Sequence, residues 1–153
     1  MRKKEKEIKD EDTIKSVIKR ATVCRIGLSE NNVPYIVPLN FGYKDNCLYF
    51  HSAREGKKID MIRRNNDVCF EIDIDNEIVK GEDPCGWSTK YYSIIGFGKA
   101  YLLEGFEEKR KALDIIMEHY SNKSSFEYPE EAVNNAAFIK VEIESMTGKK
   151  SGY

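Results

Sequence analysis

Val68, Phe70, Ile72 and Ile74 alternate without a break with Cys69, Glu71, Asp73 and Asp75. Side chains of a strand point to opposite faces in turn, so this run reads as a strand with one buried face. Such a strand needs neighbours, and the chain supplies them through short links. Residues 22–28 read as a strand, 29–32 as a turn, and 33–43 as an extended run. Asp45-Asn46 makes the next turn and residues 47–52 a third strand. Residues 91–103 form a long strand in which Gly96-Phe97-Gly98 admits a bend or a close backbone approach, and residues 136–145 form the last.

Helical spacing appears in three places. Residues 13–20 follow Asp12 as a cap, residues 56–65 carry Ile59 and Ile62 on one face, and residues 107–120 turn Ala112, Leu113, Ile116, Met117 and Tyr120 inward. Residues 77–89 read as a loop carrying Trp87. Residues 1–11 and 147–153 read as polar tails of one domain spanning 1–153. Six strands with three helices between and around them predict an α+β, mainly β barrel rather than an alternating parallel sheet.

Charge narrows the partners. Lys and Arg number 25 against 26 Asp and Glu, for a net charge of -1, which argues against a strongly basic nucleic-acid binder. No apolar run approaches the roughly 18 residues of a membrane span. The basic N-terminus leads into no apolar stretch, so the expectation is a soluble cytoplasmic chain with no membrane partner. Cys24, Cys47, Cys69 and Cys85 never come as a closely spaced pair, so no metal site is expected. The first three lie in strand-like runs, where a reduced thiol behaves as a small hydrophobe.

The stretch from Tyr49 to Asp60 is the richest in chemistry. A strand ends in the Ser52 hydroxyl, a short loop follows, and a helix opens on Gly56, Lys57 and Lys58. Free N–H groups at a helix start, the positive dipole end, a hydroxyl and two ammonium groups make an anion site suited to a phosphate ester. The spacing is not that of a P-loop, and a solvated basic first turn is the competing reading. Upstream, Pro34 and Pro38 each remove a ladder donor, which marks an edge strand or a place where a ligand replaces the pairing. A planar ligand could lie along residues 37–40, with Asn40 meeting its polar edge.

His51 beside the loop is either structural or a hydrogen-bond donor to the ligand, and His119 suits the end of its helix. Glu71, Asp73 and Asp75 repeat at about 6.6 Å along a strand, too far for a carboxylate dyad, and read as a solvated face. Arg25 is an ion-pair partner or a ligand contact. Trp87 packs on its own domain, fills a pocket or meets another subunit.

Residues 33–43, 48–53, Gly56-Lys57-Lys58 and 68–73 together resemble the FMN-binding split-barrel proteins of the pyridoxamine 5'-phosphate oxidase superfamily, and within it the nitroimidazole-resistance branch. The resemblance implies a six-stranded antiparallel Greek-key split barrel with flanking helices, forming a homodimer with FMN in a cleft between subunits. It puts Ser52 in the place of the superfamily's phosphate-binding threonine, Lys57-Lys58 in that of its Arg-Lys pair, and His51 beside the flavin as the catalytic residue. Val37, Pro38, Leu39 and Asn40 would line the isoalloxazine, Ala53 would border it, and Trp87 would close the cleft from the other subunit. Two departures matter. Residues 36–40 offer no Arg or Lys, and the chain ends in Gly148-Lys-Lys-Ser-Gly-Tyr153 rather than an Arg-Leu-Pro-Pro type segment, so vitamin B6 oxidation is not implied. The implied function is an FMN-dependent oxidoreductase that reduces a small acceptor such as a nitroimidazole or other nitroaromatic, a quinone or a flavin. The alternative is a non-catalytic flavin- or haem-binding protein, with His51 as an axial ligand.

Overall fold

The computed structural model describes residues 4–123 and 126–153. Its strands are β1 (Glu7–Ile8), β2 (Cys24–Glu30), β3 (Val33–Leu39), β4 (Phe41–Lys44), β5 (Cys47–Ala53), β6 (Asp67–Val79), β7 (Ser88–Leu103) and β8 (Ala136–Ser151). Its α-helices are α1 (Glu11–Arg20), α2 (Lys57–Arg64), α3 (Phe106–Ser121) and α4 (Glu130–Asn134). The sheet is antiparallel, in the order β3-β2-β6-β7-β8-β5-β4, with β1 added to β8.

That order dictates the shape. β3 and β4 are the two ends of the path, yet only Asn40 separates them in the chain. Laid flat, six inter-strand steps would hold the ends about 29 Å apart. One intervening residue reaches at most about 7 Å. The sheet therefore curls until its ends meet at Asn40, which makes it the mainly β split barrel expected from sequence.

The alternation read from residues 68–75 is the alternation of burial. Val68, Phe70 and Ile72 point into the barrel beside Ile26, Phe41, Leu48, Phe50, Ile94 and Ile139. α2 packs Ile59, Met61 and Ile62 into the same core. α3 and α4 cover the outer face of β5 and β8, where Phe138 packs with Ala112 and Val133. Both readings of Gly96-Phe97-Gly98 apply. A Cβ on Gly96 would lie 2.2 Å from Phe70 Cζ and one on Gly98 2.1 Å from the Glu142 carbonyl oxygen, and the β7–β8 register shifts between Phe97 and Gly98.

Several expectations need correction. The run 33–43 is two strands broken at Asn40, and β1 is a further one, so six strands become eight among the described residues. Residues 77–89 are mostly a hairpin, with Glu77, Ile78 and Val79 paired to Lys90, Thr89 and Ser88. The C-terminal tail is the second half of β8 as far as Ser151, because its main chain pairs with β7 and with Glu7 and Ile8. Residues 1–3 of the expected N-terminal tail lie outside the described residues. Asp10, not Asp12, caps α1, its carboxylate accepting from the Thr13 N–H at 2.9 Å. α4 is a fourth helix. Tyr120 is exposed, because its hydroxyl turns to the chain around residues 22 and 41. No helix among the described residues is long and apolar enough to cross a membrane.

Candidate functional site

β4 pairs with β5 from Lys44↔Cys47 to Phe41↔Phe50, and there the pairing stops. Beyond Asn40 the chain leaves as β3 to pair with β2, while β5 runs on three residues and turns into α2. A split opens between the free edge of β3 and the segment from His51 to Lys58. Residues 37–40 and 51–58, far apart in sequence character, thus flank one gap.

The β3 edge explains its prolines. Main-chain groups of a strand face its two neighbours in alternation. Proline has no N–H to offer a neighbour, so Pro34, Ile36 and Pro38 are the residues whose main chain faces the free edge. That edge presents carbonyl oxygens and, between the prolines, the Ile36 N–H. Val37 and Leu39 are half-buried on the barrel side, and Pro38 is exposed opposite Arg25.

Across the split, Ser52 is half-buried and its hydroxyl donates to the Ala53 carbonyl oxygen at 3.0 Å. His51 and Ala53 are exposed and point to the face opposite Ser52, as neighbours on a strand must. Among the described residues no hydrogen bond engages the His51 ring, which lies 6.4 Å from that of Phe138. Gly56 caps α2 at φ 129°, a conformation that favours glycine, and no side chain caps the helix start. The first helical bonds reach back to the Gly56 carbonyl oxygen from Ile59 and Asp60, so the Lys57 and Lys58 N–H groups precede the helical ladder. The Lys57 ammonium sits 4.6 Å from the centre of the Tyr35 ring, bridging α2 to β3. Lys58 is half-buried, and burial alone pulls its ammonium below the ordinary lysine range. Neither lysine has an ion-pair partner among the described residues. Two ammonium groups without counter-charge among the described residues, at an uncapped helix start, make a chemistry suited to an anion such as a phosphate ester.

The remaining residues fall elsewhere. The Asn40 amide donates to the Thr22 carbonyl oxygen and toward the Tyr120 hydroxyl, both at 3.3 Å, so it holds the corner between β3 and β4. Trp87 is half exposed near the tip of the β6–β7 hairpin, beside Lys80, and one chain does not bring it to the split. Arg25 proves to be an ion-pair partner, 3.0 Å from Glu71 and bonded to Asp73, while Arg20 holds Asp75. The carboxylate ladder is therefore paired with two arginines rather than merely solvated, and burial with the Asp73 charge pushes the Glu71 carboxyl up. Cys69 is exposed on the outer face, unlike the buried Cys24.

Sequence reasoning missed Tyr35, although an aromatic between the two prolines was the available signal. It also missed the clamp at the corner. The Tyr120 hydroxyl donates to the Thr22 carbonyl oxygen at 2.8 Å and accepts from the Phe41 N–H at 2.9 Å. His119 donates from Nε2 to the Ala21 carbonyl oxygen at 2.7 Å and lies over the Phe41 ring.

A family profile described as pyridoxamine 5'-phosphate oxidase matches residues 10–150. The chain belongs to that family. Among solved structures of the family's fold, a proposed 5-nitroimidazole antibiotic resistance protein from Bacteroides thetaiotaomicron is 41% identical, with a TM-score of 0.83 over 94% of this chain and 86% of that one. The flavocytochrome Anf3 from Azotobacter vinelandii has a TM-score of 0.81 at 16% identity, covering 96% of this chain and 70% of its own. An FAD- and haem-binding protein from Mycobacterium smegmatis has a TM-score of 0.85 at 14% identity, covering 97% and 74%. At such identities the last two show a shared fold alone. A search of curated proteins gives no match. This pyridoxamine 5'-phosphate oxidase family member thus carries a flavin-binding family's fold, with the split at the place where its sequence gathers a hydroxyl, a glycine and two lysines.

Proposed function

We propose that the chain is an FMN-dependent oxidoreductase that passes electrons to a small acceptor such as a nitroaromatic, a quinone or another flavin. The observation that carries this reading is the pair of uncompensated lysines at the uncapped start of α2, facing the free edge of β3 across the split. Lys57, Lys58 and Ser52 would hold the phosphate, and the main chain of residues 37–40 would meet the polar rim of the isoalloxazine. Bound flavin supplies the electron-transfer chemistry, and the protein binds, orients and tunes it. His51, exposed and without a hydrogen bond among the described residues, would donate a proton or hydrogen bond at the β5 side of the gap.

A homodimer with flavin at the subunit interface fits the outer face of the sheet. Ile36, Gly27, Cys69 and Phe97 follow one another in register across β3, β2, β6 and β7, with Ile36 67% and Phe97 56% exposed. Ile95 extends this apolar band, and monomers seldom leave such a strip to water. Likeness to the nitroimidazole-resistance protein supports a nitroaromatic acceptor.

The test is a flavin titration of wild type and of Lys57→Ala combined with Lys58→Ala. Loss of the counter-charge of a phosphate dianion should weaken FMN binding by about 100-fold or more. Unchanged affinity would remove these lysines from the site. Reduction of the bound flavin by NADH or NADPH, followed by reoxidation with a nitroimidazole, separates an enzyme from a carrier. A second reading, flavin or haem storage, draws on the fold shared with haem-binding proteins and on the free His51. A Soret band that disappears in His51→Ala would favour it.

A further inference from the structure

β5 has two sides. The split opens on the side of β4 and β3, whereas on the other side Ser52 and Ala53 pair with Ala137 and Ala136 of β8. There, between the ends of β5, β7 and β8 and the flanks of α2 and α3, lies a cavity of about 290 Å³. Arg54, Arg63 and Lys109 line it against a single lining carboxylate, Glu104. Its apolar wall includes Leu102 and Phe138.

The charges are unusual for this molecule. Arg20, Arg25, Arg64 and Arg110 each hold a carboxylate within 3.1 Å, and Arg63 reaches Asp60 only at 3.9 Å. Among the described residues, Arg54 is the arginine with no ion pair, and the half-buried Lys109 has none either. Like charges repel, so a fold that lines one cavity with three cations, two of them without an ion pair among the described residues, is stabilised by an anion entering it. The volume stands at the lower end of ligand-sized cavities, and an apolar wall beside a cationic rim suits a ring bearing a phosphate. Guanidinium groups meet phosphate oxygens in bidentate fashion.

We propose that this cavity is a second phosphate-ester site, separate from the split, that takes an adenylate group. Two sources share that chemistry: the adenylate half of a dinucleotide flavin whose other phosphate rests on Lys57 and Lys58, and a free adenine nucleotide. The site itself does not depend on the flavin reading, since β5 lies between the two.

The probes are AMP, FMN and FAD, titrated against wild type and against Arg54→Gln combined with Lys109→Gln. Both residues lack ion pairs, so the variant should fold as wild type does. Loss of charge-assisted contacts should weaken AMP binding by about tenfold or more while FMN affinity stays within about twofold. Tenfold or greater preference for FAD over FMN, lost in the variant, assigns the cavity to the dinucleotide flavin. AMP binding to FMN-loaded protein, with no preference for FAD, assigns it to a free nucleotide. AMP that fails to bind, or binds wild type and variant alike, together with equal FMN and FAD affinities, overturns the proposal whatever the lysine double variant shows.

Discussion

One extended run of chain, residues 33–44, builds two opposite kinds of edge. On the β4 side it zips to β5 over four register pairs, and Phe41 and Phe50 are fully enclosed. On the β3 side it stays unpaired along its outer edge, faces cations instead of phenyl rings, and carries the prolines. The difference begins at Asn40, where the chain swaps one neighbour for another. A closed seam needs matched apolar residues and free N–H groups on both strands. An open one needs main-chain acceptors on one lip and charge on the other. The fold thus closes one half of the seam with paired strands and leaves the other half unpaired.

The largest expected effect lies on the closed half. Phe41→Ala should cost about 3–5 kcal/mol in urea unfolding, since it empties a fully buried ring site beneath His119 and beside Phe50. The lysine double variant on the open half should leave the unfolding midpoint of flavin-free protein unchanged or slightly raised, because it removes unpaired charge. Equal destabilisation by both changes would mean that the two halves are one structural unit and that the comparison fails.

The hinge between the halves comes next in size. Tyr120 ties Thr22 to Phe41, and Tyr120→Phe leaves the Phe41 N–H and the Thr22 carbonyl without that partner. We expect a loss of about 1–2 kcal/mol, with faster amide exchange at Phe41 than at Phe50. Exchange that quickens equally along β5 would place the weak point in the whole seam rather than at the corner.

How far sequence reveals these halves follows from what each depends on. β6 was legible because Val68, Phe70 and Ile72 repeat at the period of the strand and burial follows the period. The candidate anion-binding groups were legible as a cluster because Ser52, Gly56, Lys57 and Lys58 lie within seven residues of one another. The closure at Asn40 was not, since it follows from strand order, and no local pattern encodes which distant strand β3 will choose. The second half of β8 hid for another reason. Its pairing is made by main chain, and polar side chains such as Lys149 and Lys150 look like a tail. Gly148 was the available clue, because a Cβ there would come within 3.0 Å of Ile8.

Lys58 sharpens the comparison at the smallest scale, through pH. Burial holds its ammonium below the roughly 10.4 of a lysine in the unfolded chain. A lowered value in the folded state means that charging Lys58 opposes folding at neutral pH. That penalty is relieved as pH rises through the folded value toward the unfolded one, so this residue makes the flavin-free protein more stable across that window. Flavin binding should show the opposite sign. A phosphate needs the ammonium and lifts its pKa in the complex, so above the lowered value binding must take up a proton. FMN affinity should therefore begin to fall below the ordinary lysine range, by at most about tenfold per pH unit for one proton. Lys58→Arg remains charged throughout, and flavin titrations at stepped alkaline pH should show its decline removed while stability no longer rises. The same decline in wild type and Lys58→Arg would show that Lys58 is not the group whose charge the bound phosphate requires.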